Sequence, residues 1–205
     1  MLNNVPYNSA ILGSQNHGKN VGTTVFPSIF IVSNDKRVQL NVPYFSQLND
    51  ISDEVKEKVG STACGPAVVA MALKYIKINV NIDDVIYKLP NSVYVKGKGF
   101  YDILGASKYF NKESAKVEQN PKAIYEVLKQ GFPVILNIQN FDGISGHALL
   151  VTGIKGFDGK KAYSLIVNDP YYGPLREYKY ISANSLLQPE GYINTIGPVQ
   201  PFYIK

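Results

Sequence analysis

An α+β fold is the class that the sequence predicts, and two features of the pattern along the chain are the reason. Segments typical of helices, with capping residues, dominate up to about residue 131, and four β-rich runs follow. A length of 205 residues suits one domain with a substantial core. Helices followed by antiparallel strands form α+β domains in which the helices pack on one side of the sheet.

The N-terminal part of the chain is interpreted as an arm followed by the start of the domain. Residues 1–36 are rich in Asn, Gly and Ser, with one apolar run at 25–32 that is broken by a proline. They are expected to form an extended arm, and 37–205 the domain. The segment 38–45 contains a proline and is expected to be an edge strand or a strand end. The charged stretch at 49–61 is expected to be a surface loop or a short exposed helix.

Four helices are predicted before residue 131. The segment 66–76 begins with a proline and is apolar on nearly every face, which indicates a buried helix. A second helix is predicted over 81–89, with two aspartates in its first turn, and a third over about 101–110. The fourth, within 120–131, has an asparagine cap, a proline at the first helical position and a terminating glycine.

Strands are predicted for the remainder of the chain. Four runs rich in β-branched and aromatic residues lie at 133–138, 148–154, 162–167 and 175–181. A short helix is expected at 183–187, and a final strand near 201–204.

Composition excludes several classes of protein. The formal net charge is only +5 and 45% of the residues are hydrophobic, which excludes general disorder. The lysines are scattered singly, without the basic stripe typical of nucleic-acid binding. No apolar run approaches the roughly 18 residues that a membrane-spanning helix needs. No signal peptide is visible at the start, which predicts a cytoplasmic location or export by a non-classical route.

Two residue counts limit the chemistry that the chain can perform. The chain has one cysteine, Cys64, which excludes an internal disulfide and a cysteine-based zinc cluster. It has two histidines, His17 and His147, so at most two Cys–His pairings exist. No metal or other cofactor is expected.

Cys64 is the candidate nucleophile because it comes directly before the predicted buried helix. The positive end of a helix dipole and free backbone N–H groups favour the thiolate, so we expect a pKa below the free value of about 8.5. Gly65 permits a sharp turn and close approach of a substrate backbone. The alternative is a buried structural cysteine.

His147 is the candidate general base. Glycines precede it and an apolar strand follows, so its approach is uncrowded and its position fixed. The alternative is a histidine that begins a strand and only hydrogen-bonds a carbonyl group. His17 lies among polar residues of the arm, where a surface role is expected.

The group that orients His147 is predicted from strand register. Asp-Gly at 158–159 is typical of a hairpin turn. A three-residue loop places His147 directly opposite Asp169, and a two-residue loop places it opposite Pro170. Directly opposed side chains have Cβ atoms about 5 Å apart, which lets a carboxylate orient an imidazole. Asn168 is the substitute if the register slips by one, and plain turn chemistry at Asn-Asp-Pro is the remaining alternative.

Acyl transfer also needs donors for the oxyanion. The backbone N–H of Cys64 is one candidate, and the side chain of Gln47 is the second. A glutamine at a strand end indicates little by itself.

Four motifs, taken in order, resemble the papain-fold cysteine peptidases related to bacterial double-glycine leader peptidases. The motifs are Val-Pro-Tyr-Phe-Ser-Gln at 42–47, Ala-Cys-Gly-Pro-Ala at 63–67, Gly-His-Ala-Leu-Leu-Val-Thr-Gly at 146–153 and Val-Asn-Asp-Pro at 167–170. The resemblance covers about residues 38–181. It implies a papain-like fold, with the buried helix packed on an antiparallel sheet. It also implies that Gln47 serves the oxyanion hole and Cys64 is the nucleophile. In the same way it implies His147 as the base and Asp169 as its orienting partner.

The resulting interpretation is a cysteine peptidase that acts on a peptide or protein through an acyl-enzyme. The Cys64 thiolate attacks a carbonyl group, His147 protonates the leaving amine, and water releases the acyl group. Cell-wall amidases and glutamine deamidases, as effector, toxin or lysin domains, share this chemistry and are the alternatives. A non-catalytic binding module is the alternative from another class. Many Lys, Asn, Ile and Tyr with few Arg are typical of an AT-rich bacterial genome.

Overall fold

The structure is a computed structural model that describes residues 29–32 and 37–205, with the backbone alone described at 29–32, 60 and 61. Most of the N-terminal arm predicted over 1–36, including His17, lies outside the described residues. None of the helices in the described part of the chain is long and apolar enough to cross a membrane.

Helices and strands alternate in the first half of the described chain, and strands dominate the second half. The α-helices are α1 (Asp53–Val59), α2 (Cys64–Tyr75), α3 (Ile82–Lys88) and α4 (Pro121–Lys129), and 3-10 helices cover Gly60–Ala63 and Leu104–Phe110. The strands are β1 (Ile29–Val32), β2 (Arg37–Leu40), β3 (Tyr94–Val95), β4 (Gly99–Phe100), β5 (Ser114–Lys116), β6 (Val134–Gln139), β7 (His147–Lys155), β8 (Ser164–Asp169), β9 (Gly173–Ser182), β10 (Ser185–Leu187), β11 (Ile193–Ile196) and β12 (Phe202–Ile204).

Local sequence signals explain the helix ends. The side chain of Asn81 accepts a hydrogen bond from the backbone N–H of Asp84 (2.8 Å), and the Asp84 carboxylate accepts one from the backbone N–H of Asn81 (2.9 Å). At α4 the side chain of Asn120 accepts a hydrogen bond from the backbone N–H of Ala123 (2.8 Å), and Pro121 occupies the first helical position. Helix α2 is buried on nearly all sides, as its uniformly apolar sequence predicts.

The antiparallel sheet closes into a barrel. Strands β6, β7, β8, β9, β10 and β11 pair in that order, and β11 pairs back with β6 through Thr195–Gln139 and Ile196–Ile138. Strands β2 and β1 extend the sheet from β7, and β12 and β5 extend it from β6. The α+β class and the antiparallel sheet are confirmed, whereas barrel closure was not predicted from the sequence.

Strand β7 separates two parts of the core. Ala148 and Leu150 belong to the part formed with helices α1, α2 and α3, whereas Leu149 and Val151 belong to the part formed by barrel strands together with helix α4 and strand β2. Alternate residues of a strand face opposite sides, so a strand buried on both sides reads as a continuous apolar run. His147 therefore begins a strand that is fixed on both faces.

Two element predictions are wrong. The helix expected over 101–110 is a 3-10 helix confined to Leu104–Phe110. The helix expected at 183–187 is instead strand β10, which pairs with β9 and β11 and buries Leu186 in the barrel. Pairing on both edges outweighs the local preference of so short a segment.

Candidate active site

Cys64 is the first residue of α2, and the 3-10 helix Gly60–Ala63 leads directly into it. Cys64 as a whole residue is partly exposed, in contrast to the buried residues that follow it in the helix. The next residue, Gly65, has no space for a side chain, because a Cβ there would lie 2.5 Å from Phe100 Cδ2. The Phe100 ring thus packs directly against the backbone beside the thiol.

The ionisation of Cys64 reflects two opposing effects. Burial raises the pKa of the thiol, but a hydrogen bond to His147 and the positive charge of that ring lower it. Hydrogen bonds from the backbone N–H groups of Ala148 and Gly65 lower it further. Together these lowering effects are larger than the effect of burial, so the pKa of Cys64 lies below its ordinary value.

His147 is almost fully buried and lies between Cys64 and Asp169. Its Nε2 donates a hydrogen bond of 2.8 Å to Asp169 Oδ1, which leaves Nδ1 as the nitrogen for Cys64. Burial lowers the pKa of the imidazole, but the hydrogen bonds and charges of both partners raise it to about 9. A thiolate beside an imidazolium is the ion pair that these two pKa changes favour.

The contact between His147 and Asp169 does not arise from either predicted register. Lys155 pairs with Ser164, and a bulge in β7 shifts the pairing so that Leu150 faces Asn168. If this pairing is continued by one residue, Asp169 lies opposite Leu149, which is two residues after His147 in β7. The side chains of His147 and Asp169 therefore meet diagonally. Diagonal neighbours are within reach of a long side chain. The Asp-Gly turn lies within a longer loop between β7 and β8, which is why the counted registers are wrong.

Asp169 is fully buried, and hydrogen bonds surround its carboxylate. Oδ1 accepts from His147 and from the backbone N–H groups of Tyr171 (2.8 Å) and Tyr172 (3.3 Å). Oδ2 accepts from the phenol of Tyr178 at 2.7 Å. Burial raises the pKa of Asp169, but His147, Tyr178 and the Tyr171 N–H more than offset it and hold the pKa below its usual range.

Asn168, the substitute orienting residue, has a different environment. Its Nδ2 donates to the main-chain oxygens of Val42 (3.4 Å) and Pro43 (3.5 Å), and its Oδ1 accepts from the N–H of Leu175 at 3.2 Å. These contacts tie the segment after β2 to the barrel, and Asn168 does not contact His147.

Gln47 is buried beside the strand that carries Asp169. Its backbone N–H donates to the carbonyl oxygen of Pro170 at 2.9 Å, and Tyr44 Oη donates to the carbonyl oxygen of Asp169 at 3.2 Å. The side-chain Oε1 of Gln47 is buried without a hydrogen-bond partner among the described residues. Gln47 is not among the residues that line the cleft containing Cys64 and His147.

Two aromatic residues of the site had not been singled out in the sequence. The ring of Phe141 stacks on His147, with 3.8 Å between ring centroids and 17° between planes. Tyr178 contacts Asp169, as described above. Phe141 lies in a loop and Tyr178 within a long strand, and no motif or spacing in the sequence marks either residue.

A cleft of about 520 Å³ opens beside Cys64 and His147. One wall consists of residues 98–104, which include β4, and the other of residues 144–148 at the start of β7. Tyr101 and Ile144 both line the cleft and are 69% and 44% exposed. The cleft is therefore open to solvent, with apolar side chains at its rim. Within the described residues, no group of three or more His, Cys, Asp or Glu could hold a metal ion.

The chain matches one family model and is similar to a solved structure. The model of the Peptidase_C39 like family matches residues 39–192. Among solved structures, the chain is similar to a Bacillus anthracis protein assigned to the C39-like peptidases, with 15% identity and a TM-score of 0.48. That similarity covers 81% of this chain and 100% of the other. None of the curated proteins matches the chain.

Proposed function

Because the chain belongs to the Peptidase_C39 like family, as its four sequence motifs suggested, we propose that it is a cysteine peptidase with a papain-like fold. In this proposal the catalytic domain spans residues 37–205. Cys64 is the nucleophile, His147 the general base and acid, and Asp169 the residue that orients the imidazole. The observation that carries the proposal is the continuous contact from Cys64 through His147 to Asp169.

The reaction follows from the ionisation of these groups. The Cys64 thiolate attacks the scissile carbonyl carbon, a C–S bond forms, and the carbonyl oxygen becomes an oxyanion. The C–N bond then breaks, and His147 transfers its proton to the departing amine. Neutral His147 next removes a proton from water, whose oxygen attacks the thioester. The C–S bond breaks, the acid product leaves, and the thiolate–imidazolium pair is restored.

The oxyanion requires hydrogen-bond donors on one side of Cys64. We assign this role to the backbone N–H of Cys64, at the N-terminus of α2, and to the side-chain amide of Gln47. The side-chain Oε1 of Gln47 has no hydrogen-bond partner among the described residues, so no contact at this oxygen prevents the amide from turning its N–H groups toward a substrate. Gln47 lies beside Pro170, the residue after Asp169, and does not line the cleft.

The substrate of this proposal is a peptide or protein segment in extended conformation. The cleft is open on the solvent side and bounded by the 98–104 and 144–148 walls, which suits a chain lying across Cys64. The close approach of a substrate backbone expected at Gly65 is not available on its Cβ side, because the Phe100 ring fills that space.

The first test is capture of the acyl-enzyme. Incubating the protein with a peptide library, followed by acid quenching and mass spectrometry, is expected to show an acyl group on Cys64 and new peptide termini. Cys64→Ala should abolish both, and Cys64→Ser should leave cleavage far below the wild-type rate. Cleavage that persists in Cys64→Ala would contradict the proposal.

The same variants separate the alternative chemistries. Purified peptidoglycan and a glutamine-containing protein are offered in parallel with the peptide library. Release of wall fragments, or of ammonia without chain cleavage, would identify a cell-wall amidase or a glutamine deamidase instead. Absence of any acyl adduct with every substrate would favour a binding module.

A further inference from the structure

The carboxylate of Asp169 is held from two sides by different strands. Oδ1 faces His147 from β7 and two backbone N–H groups of the turn after β8. Oδ2 faces β9, where Tyr178, a residue with no exposed surface, donates its phenol proton at 2.7 Å. Among the described residues, Tyr178 is the one donor to Oδ2.

We propose that Tyr178 is a positioning residue that fixes the plane of the Asp169 carboxylate and, through it, the orientation of His147 toward Cys64. This inference rests on the function proposed above. It extends the relay, meaning the series of contacts from Cys64 through His147 to Asp169, by one buried hydroxyl group. It assigns to β9 a part in the site that none of the four sequence motifs includes.

Geometry is the first argument for this role. The plane of the carboxylate turns about the Cβ–Cγ bond, and donors on both oxygens, three at Oδ1 and Tyr178 at Oδ2, hold this plane more firmly than donors on one oxygen alone. A buried carboxylate oxygen without a donor is unfavourable, so loss of the phenol would drive Asp169 to a new orientation. Because the imidazole follows Oδ1, its Nδ1 would then move relative to Cys64.

Charge is the second argument. Burial and the negative charge of Asp169 raise the pKa of Tyr178, a more distant Glu190 raises it further, and Arg176 lowers it. The net pKa of Tyr178 lies far above neutrality, so the phenol stays a proton donor at every pH at which the peptidase would work. In return, Tyr178 helps to lower the pKa of Asp169 and keep it ionised.

The chain offers a matched control two residues further along the same strand. The hydroxyl of Tyr180 is also buried, but it has no hydrogen-bond partner among the described residues. Tyr178→Phe and Tyr180→Phe therefore remove the same atom from the same strand. They differ in whether Asp169 loses a donor.

The experiment measures Cys64 alkylation by iodoacetamide from pH 4 to 10 and, in parallel, peptide turnover. For Tyr178→Phe we expect the alkylation midpoint to move up by roughly half a pH unit or more, because a less fixed Asp169 stabilises the imidazolium less. We also expect kcat to fall about tenfold or more with KM nearly unchanged. Tyr180→Phe should leave both quantities at the wild-type values.

A double-variant cycle with Asp169→Asn separates positioning from a general loss of stability. If Tyr178 acts through Asp169, adding Tyr178→Phe to Asp169→Asn should change the alkylation midpoint and kcat very little. Equal effects of Tyr178→Phe and Tyr180→Phe, or full additivity in the cycle, would overturn the inference. Thermal unfolding of each variant reports folding separately.

The alkylation readout also distinguishes this inference from the proposed function. If no substrate is turned over by the wild-type protein, the peptidase proposal fails. The midpoint shift in Tyr178→Phe would then still support the relay, and its absence would still refute it.

Discussion

Cys64 and His147 each ionise in a direction that burial alone opposes. Removal from water favours the neutral thiol and the neutral imidazole, yet the pKa of Cys64 is lowered and that of His147 is raised. Mutual hydrogen bonding and opposite charge outweigh desolvation because Asp169 adds a second negative charge on the far side of the ring. The two groups titrate as a coupled pair, so the resulting pH behaviour belongs to both.

A bell-shaped pH dependence of peptide turnover follows from these directions. Activity should rise with pH as the Cys64 thiolate forms, at a pH below the ordinary pKa of a cysteine thiol. It should fall as pH passes about 9, where His147 loses the proton that the leaving amine needs. Rate measurements from pH 4 to 10 check both limbs.

His147→Ala isolates the source of the thiolate. Without the imidazolium, burial dominates, and Cys64 alkylation should begin only above the ordinary thiol pKa. His17→Ala serves as the control and should react like the wild-type protein. An unchanged alkylation profile in His147→Ala would show that His147 does not activate the thiol.

At single positions, the sequence predicted which residues carry reactive groups more reliably than it predicted which residues contact each other. Cys64 before an apolar helix and His147 at the head of a strand were visible in the local pattern, and the two residues share one cleft. The partner of His147 depended on a strand register that a bulge and a longer loop alter. Phe141 and Tyr178 could not be assigned to the site from the sequence, because an aromatic residue in a loop or strand is most often part of the hydrophobic core. Folding alone brings them to His147 and Asp169.

At the scale of elements, the β3–β4 hairpin is fastened to the N-terminus of α2 by two aromatic residues. Phe100 packs on Gly65, and Tyr94 Oη lies 3.1 Å from Thr62 Oγ1 in the segment that leads into Cys64. The Tyr94 and Phe100 rings also contact each other, with 4.9 Å between centroids. The hairpin thus sets one cleft wall and the position of the nucleophile together.

Gly65→Ala should disturb the contact between the β3–β4 hairpin and the N-terminus of α2. The new Cβ would lie 2.5 Å from the Phe100 ring, so the ring, or the hairpin with it, must shift. Overpacking costs about 1–3 kcal/mol, more than the roughly 1 kcal/mol that alanine gains over glycine in a helix. We expect a lower free energy of unfolding in urea and reduced kcat/KM.

A second substitution tests whether the clash is the cause. In the Gly65→Ala background, Phe100→Leu should recover part of the lost stability, whereas in the wild-type background it should cost stability. Gly146→Ala is the comparison for stability, because the nearest atom to its Cβ would be Ile138 O at 3.9 Å. Simple additivity of Gly65→Ala and Phe100→Leu would contradict a direct contact.

Elements with strong local signals were predictable, and those that depend on distant partners were not. Caps and a terminating glycine marked α3 and α4 closely. Strands β3 and β4 have two residues each, too few for any periodicity to show. Strand β10 is defined by its neighbours β9 and β11, which its own three residues cannot reveal.

At the scale of the whole molecule, barrel closure joins parts of the chain that the sequence keeps far apart. Strand β6 ends at Gln139 and β11 begins at Ile193, yet they pair and complete the ring. Hydrophobic alternation predicts strands without naming their partners, so an open sheet and a closed barrel read alike. The consecutive strands β7, β8 and β9 of this ring supply His147, Asp169 and Tyr178, and the Tyr178 hydroxyl reaches the Asp169 carboxylate from the middle of β9.

Stability of the barrel in acid should therefore depend on Asp169. The pKa of Asp169 in the folded protein is lowered from 3.8, so its ionised form stabilises the fold. This stabilisation is fully present above pH 3.8 and is lost as the pH falls through the lowered pKa. At neutral pH, Asp169→Asn should cost about 3 kcal/mol of unfolding free energy, typical of breaking a buried pair. The difference from wild type should shrink steadily in urea titrations from pH 5 to pH 2.

An exposed carboxylate provides the control for this acid effect. Glu113 forms a surface ion pair with Lys205 at 3.8 Å, and its side chain is 81% exposed. Surface pairs are worth about 0–1 kcal/mol, so Glu113→Gln should change the free energy of unfolding little at any pH. If Asp169→Asn instead remained equally destabilising from pH 7 to pH 2, the loss would come from packing at the barrel end. The negative charge of Asp169, which accepts hydrogen bonds from residues of β7 and β9, would then contribute nothing to the free energy of unfolding.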